Sequence, residues 1–257
     1  MYRLALRMLG HPADAEDAAQ EILVVVLTHL GSFRRESALW TWVLRIAANH
    51  LLRARRGRRE ALGFELLGER LDRSLGDAPQ LPDPEVEAMA LEVRLRCTEA
   101  MLLCLDRQLR IAFILGEIFG LSGEEAAQVL DLDATTWRKR LSRARRLVLG
   151  FMRQRCGVFD PAKPCRCRGQ VGAALADGRL DPGELSLARH PVREPAAGPA
   201  AGPRGEVSAV QTGAREVGAL LRVAEVMRGH PEYAASDRLL QHVRALLDAG
   251  RLELLRE

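Results

Sequence analysis

The chain has 257 residues, which suits two or three small domains better than one core, and its 47% hydrophobic content is enough to pack them. Aromatics are scarce at 4%, and no stretch approaches the roughly 20 apolar residues of a membrane-spanning helix. The net charge of +4 is modest and the five cysteines are unevenly placed, which argues against a disulfide framework and predicts a soluble, cytoplasmic, mostly helical protein.

The start carries Arg3 and Arg7 but neither a long apolar run nor a small-residue cleavage site, so it does not read as a signal peptide. A first helix from Met1 is stopped by Gly10-His11-Pro12. A second runs from Asp14, taken as its N-cap, to Leu30, with Ala15, Ala18, Ile22, Val25 and Val26 as its buried stripe. Its opening turns are acidic and hydrogen-bonding: Asp14, Glu16, Asp17, Gln20 and Glu21. After the polar stretch Ser32 to Ser37, a third helix runs from about Ala38 to Arg56. Trp40 and Trp42 cannot both face its core, so one packs inside and the other is exposed. Arginines then crowd Arg53 to Arg59, and residues 59–84, rich in Gly and Pro, read as a linker with room for a short helix at Leu62 to Leu71.

From residue 85 a second helical domain reaches residue 155. One helix runs to about Leu103 and another from Asp106 to Phe119. Ser122 and Glu125 have the spacing of a capping box, which opens a short helix to Leu130. Asp131 to Asp133 makes a turn, and a long helix follows from Ala134 to about Arg153, capped by Asp133. Trp137, Leu141, Ala144, Val148 and Phe151 fall on one stripe of it, with Arg138, Lys139, Arg143, Arg145 and Arg146 opposite. Short helix, tight turn and long basic helix make a helix-turn-helix. Residues 156–257 form a C-terminal extension: a cysteine loop, a Pro- and Gly-rich tether at Glu194 to Gly205, and amphipathic helices at Glu206 to Arg228 and Asp237 to Ala249.

Two stretches resemble the two domains of extracytoplasmic-function (ECF) sigma factors of the sigma-70 family, in the right order. Asp14-Ala-Glu-Asp-Ala-Ala-Gln-Glu21, Phe33-Arg-Arg-Glu-Ser and Thr41-Trp-Val-Leu-Arg-Ile-Ala-Ala-Asn49 resemble region 2, placed at residues 1–58. Arg110-Ile-Ala-Phe-Ile-Leu115, Gly120-Leu-Ser122, Glu124-Glu-Ala-Ala127 and Arg140-Leu-Ser-Arg-Ala-Arg145 resemble region 4, placed at residues 85–155. There are departures: Asp106 stands where the family usually has proline, Asp131 where the turn often has glycine, and Arg53 where an acid is common. The chain also starts shortly before Gly10, where family members carry more helix, so either the first helix is short or the true start lies upstream of Met1.

The resemblance implies an all-α protein that binds core RNA polymerase and promoter DNA, with room for an anti-sigma partner and none for a membrane. Asp14, Glu16, Asp17, Gln20 and Glu21 are then the polymerase contact. Arg34, Arg35, Arg45, Asn49, Arg53 and Arg56 face the promoter element about ten bases upstream; Asn49 touches bases, the arginines (with Arg55) hold phosphates, and the Ser32 to Ser37 loop captures a flipped base. Thr135, Thr136, Arg138, Lys139, Arg140 and Arg143 face the upstream element in the major groove. The extension reads as an autoregulatory or partner-binding module.

No catalytic constellation is visible, the six histidines are scattered, and no cofactor is implied, so an enzyme is not expected. Cys156, Cys165 and Cys167 lack the CxxC pairing of structural zinc sites and would need a fourth ligand such as His190, so free thiols are favoured over zinc or a redox switch. Cys97 and Cys104 are placed in the core. The alternative to a sigma factor is a helix-turn-helix repressor or activator that is not a polymerase subunit, which leaves the first domain unexplained.

Overall fold

The computed structural model describes residues 1–54, 63–75, 83–188 and 210–229, together with 241, 244 and 245. The fold is all-α, with no strand among the described residues. In chain order the helices are α1 (Tyr2–Leu9), α2 (Pro12–His29), α3 (Leu39–Arg53), α4 (Phe64–Arg73), α5 (Asp83–Leu103), α6 (Arg107–Phe113), α7 (Gly123–Leu130), α8 (Ala134–Arg155), α9 (Val171–Ala176) and α10 (Val210–Arg228). Residues 1–54 and 105–144 pack into one unit, and residues 63–75, 83–104, 145–188 and 210–229 into another.

In the first unit, α1 ends on Gly10, whose φ of 69° is left-handed and whose N–H donates to the Leu6 carbonyl. α2 begins at Pro12 with His11 as N-cap, and Asp14 lies in its first turn rather than at the cap. Proline suits the first helical position because its φ is fixed and no N–H is needed there. A 3₁₀ turn at Leu30–Ser32 closes α2. α3 stops at Arg53 because Ala54 is extended, at φ −51° and ψ 150°; Arg55 and Arg56, expected to be helical, lie outside the described residues. Leu4, Leu6, Met8, Ile22, Leu44 and Leu51 form the buried centre of α1 to α3.

α6 follows Asp106, whose side chain accepts from the Leu109 N–H at 2.9 Å, so the aspartate caps the helix where the family usually has proline. The expected single helix from Asp106 to Phe119 changes at Ile114 into a π turn, Ile114–Ile118. Gly116 in that turn lies against the recognition helix: a Cβ on it would stand 3.1 Å from Leu141 Cδ2 and 3.3 Å from Trp137 Cζ2. α3 packs along α7, and α6 packs against α1 and α3.

Beside its buried Leu109, Ile111, Ala112 and Phe113, α6 carries two buried arginines one turn apart. Arg107 donates to the carbonyls of Leu51 (3.2 Å), Leu52 (3.4 Å) and Ala54, the end of α3 whose carbonyls lack helical partners and carry the negative end of the dipole. Arg110 is 1% exposed and donates to the Met8 carbonyl at the end of α1 and to Leu105 at 2.9 Å. A buried guanidinium needs such acceptors, since an unpartnered buried charge is strongly destabilising.

In the second unit, Val86, Met89 and Ala90 of α5 form a core with Val171 and Ala174 of α9 and with Leu180. The hydrophobic pattern predicts no helix at α9, which is short and owes its place to this core. Glu92, fully buried, accepts from the N–H groups of Leu187 (2.9 Å) and Ala188 (2.7 Å) and from Arg96 Nε (2.7 Å), and so fixes the end of this segment on α5. Phe64 of α4 packs on Phe151 of α8 at 5.3 Å between centroids, and Gln170 donates to the Leu71 carbonyl at 3.0 Å. The expected helix at Asp237 to Ala249 and the tether at Glu194 to Gly205 lie outside the described residues, apart from isolated positions in the former.

Candidate nucleic-acid interface

The helix-turn-helix is assembled by its own caps. Ser122 Oγ accepts from the Glu125 N–H at 3.2 Å while Glu125 Oε2 accepts from the Ser122 N–H at 2.8 Å, which completes the capping box of α7. α7 ends on Asp131 at φ 54° and ψ 51°, a left-handed backbone that aspartate tolerates better than most residues. Asp133 then caps α8: its Oδ1 accepts from the N–H groups of Thr135 and Thr136, both at 2.9 Å, and its Oδ2 from the Thr136 hydroxyl at 2.6 Å. The Thr136 hydroxyl, chiefly, holds the Asp133 carboxyl below its usual range, and the Ser122 N–H does the same for Glu125.

These caps set the rotation of α8. Trp137, Leu141 and Ala144 turn into the core, while Thr135, Arg138, Lys139 and Arg143 are exposed and Thr136 and Arg140 half-buried. The exposed residues lie within the N-terminal three turns, the part of a recognition helix that enters a major groove. The Thr136 hydroxyl is engaged with Asp133, which leaves Thr135 and the three cations as the presented groups.

The first domain offers two further surfaces. Asp14, Asp17 and Glu21 on α2 line one cleft with Asn49, His50 and Arg53 on α3. Glu21 pairs there with His50 at 3.2 Å, and Glu16 and Gln20 stand half-buried on the same helix. Three of the five residues expected to contact polymerase and two of those expected to contact the promoter therefore share a groove. In the loop after α2, Arg34 and Arg35 are exposed, and Arg35 has a left-handed φ of 58°. Trp42 is half-buried against Phe33, with ring centroids 5.4 Å apart, whereas Trp40 is 56% exposed.

Arg45, expected as a phosphate contact, pairs with Asp131 in the turn of the helix-turn-helix at 2.7 Å. A second cleft gathers Arg53 at the end of α3 with Arg107, Arg140 and Arg143, a concentration of cations drawn from three helices. Sequence patterns alone assign no role to Arg107 or Arg110. Their signal is two arginines, three apart, that lead into the apolar run Ile111 to Leu115. Arg56 and His190 lie outside the described residues, and among the described residues no group of three His, Cys, Asp or Glu side chains stands ready to hold a metal.

Residues 1–61 match the family model of sigma-70 region 2, and residues 95–148 match that of sigma-70 region 4. The ECF RNA polymerase sigma-E factor of Escherichia coli (strain K12) is 33% identical over 141 residues, 52% of this chain and 72% of that protein. The RNA polymerase sigma-H factor of Pseudomonas aeruginosa is 32% identical over 151 residues, 56% of this chain and 76% of its own. The chain belongs to the sigma-70 family, as a sigma factor of the extracytoplasmic-function type. In this sigma factor the region 2 match contains α1 to α3, and the region 4 match contains the whole helix-turn-helix as far as Val148. The cysteine loop, α9 and α10 lie beyond both matches. No described helix of the sigma factor is long and apolar enough to cross a membrane.

Proposed function

We propose that this sigma factor binds core RNA polymerase through the acidic face of α2, opens the promoter with α3 and the loop before it, and reads the upstream element with the exposed face of α8. The observation that carries the reading is the capped helix-turn-helix with Arg138, Lys139 and Arg143 outward, in one chain with a region 2 domain. Neutralising phosphates with arginine and lysine gives affinity, and a bidentate arginine on guanine gives about 1–3 kcal/mol of discrimination. Strand opening falls to Asn49 and the Ser32 to Ser37 loop, beside exposed Trp40, whose ring can stack on an unpaired base. RNA synthesis belongs to the polymerase, so we assign the chain no catalytic residue and no cofactor in transcription.

The packing of α3 along α7 has a geometric consequence for this function. Promoter elements near −10 and −35 are separated by roughly 25 base pairs, on the order of 85 Å at about 3.4 Å per pair. Helices in contact lie only about 8–10 Å apart. α3 and α8 therefore cannot occupy both elements while α3 rests on α7 and Arg45 is paired with Asp131. The observed unit is a closed state, and engagement of polymerase and promoter parts it. An anti-sigma partner, if this factor has one, would act by keeping these surfaces covered, and the work would be done in the cytoplasm, where polymerase meets DNA.

Gel filtration of the full chain with purified core polymerase tests the reading. Co-elution that is lost on reversing the charge of Asp17 supports it. A chain that stays apart from core and instead retards duplex DNA alone as a dimer would establish a conventional repressor or activator.

A further inference from the structure

All five cysteines belong to the second unit, although Cys97 and Cys104 are far in sequence from the other three. Cys156 follows directly on α8, and the chain turns back so that Cys156 and Cys165 form an isolated parallel β-bridge. The Gly157 N–H donates to the Cys165 carbonyl at 2.9 Å, and the Cys165 N–H to the Arg155 carbonyl at 3.2 Å. Only glycine permits this approach, because a Cβ at residue 157 would stand 2.6 Å from the Cys165 carbonyl oxygen. Asp160 accepts from the Ala162 N–H at 3.0 Å, and Arg166 donates to the carbonyls of Lys163 and Pro161, which ties the intervening loop into one shape around buried Phe159. Cys167 then packs on the core that α5 contributes, and the 3₁₀ turn after it, Arg168–Gln170, lies on α5 itself.

Cys97 is on α5, one helical turn beyond Val93, which packs on that same core. Burial first, and then Cys167, Cys165, Cys156 and, last, Cys104, push the Cys97 thiol well above its usual range, so these thiols are neighbours of Cys97. Burial and Cys156 likewise push Cys165 up to about 11 and Cys167 to about 12.

The geometry points to a zinc site built from Cys97, Cys156, Cys165 and Cys167, which ties the end of the recognition helix to α5. Four thiolates are a complete tetrahedral set for a structural zinc ion, and loading it displaces the thiol protons. Among the described residues no group of three such side chains could hold a metal ion as they stand, so the proposed site requires the free, half-buried thiols to move together on loading. The fourth ligand considered from sequence, His190, lies outside the described residues, and the proposed site takes Cys97 in its place.

The test is the metal content of the full chain, expressed with zinc and purified without chelator, with the chain also refolded on cobalt(II) alone. Roughly one tightly held zinc ion per chain is expected, with thiolate-to-cobalt charge-transfer absorption in the unmutated protein. Cys97→Ser and Cys167→Ser should each lose the ion while Cys104→Ser keeps it. Zinc well below one per chain without the cobalt band, full retention in Cys97→Ser, or a Cys156–Cys165 disulfide in protein kept reduced would each overturn the site.

Discussion

The Arg45 guanidinium stands 2.7 Å from the Asp131 carboxylate, and so joins the helix assigned to promoter opening to the turn of the helix-turn-helix. The side chains are 42% and 86% exposed, and a pair so open to water contributes at most about 1 kcal/mol. Its weight is in competition: an arginine held by Asp131 is not free for a phosphate. Asp131→Asn removes the charge and keeps a residue that tolerates the left-handed backbone. Thermal unfolding should move by less than about 1 kcal/mol, and holoenzyme binding to a promoter should tighten by up to about fivefold, the gain fading as salt rises. Weaker promoter binding by Asp131→Asn would show that the pair does not oppose DNA.

Among the described residues Arg110 is the most enclosed charge of the first unit, and its carbonyl partners belong to the buried residues Met8 and Leu105. Arg110→Met should destabilise that unit by roughly 1–3 kcal/mol in urea denaturation. Arg107→Met, at the more open end of α3, should cost less, about 1 kcal/mol. Equal stability of Arg110→Met and wild type would mean that the carbonyls find other donors.

On α8 the exposed cations should separate by kind. Lys139→Ala is expected to weaken promoter binding evenly across sequences and lower the slope of log affinity against log salt by about 1. Arg138→Ala should cost about 1–3 kcal/mol and relax the preference at one base pair of the upstream element. Anisotropy titrations of holoenzyme on a set of single-base promoter variants distinguish the two, and identical profiles would argue against base reading by Arg138.

The caps of the helix-turn-helix predict an acid dependence. The carboxyls of Asp133 and Glu125 are held below their usual range in the folded chain, so their stabilisation is complete above the ordinary carboxylate pKa and is lost as pH falls through the depressed folded values. Melting temperature followed from pH 7 down to about pH 3 should therefore fall less steeply for Asp133→Asn than for wild type. Parallel curves would remove Asp133 from the account.

Those caps are legible in the amino-acid sequence because they are local. The side chains of Ser122, Glu125 and Asp133 act on backbone groups within three residues of themselves, and Asp131 takes the left-handed backbone that its residue type tolerates. The apolar stripe of α8 is legible for the same reason. The start of α2 is displaced because Asp14 and Pro12 compete for the same boundary, and proline at the first helical position moves the cap to His11. Long-range partners are what a sequence pattern does not supply. Arg107 and Arg110 read as ordinary helix arginines until the ends of α3 and α1 are placed beside them, and Cys97 reads as a core thiol until the loop after α8 returns to α5. The π turn at Ile114–Ile118 is another such case, since it sets Gly116 against Trp137 and Leu141.

Run-off transcription with purified core polymerase, with and without this protein, on a promoter-enriched genomic library tests the central claim most directly. Discrete transcripts that appear only when the protein is added, and that vanish with charge reversal at Arg138 and Lys139, are the predicted result. No protein-dependent transcript from either the full chain or a chain ending at Arg155, with no association with core, would contradict it.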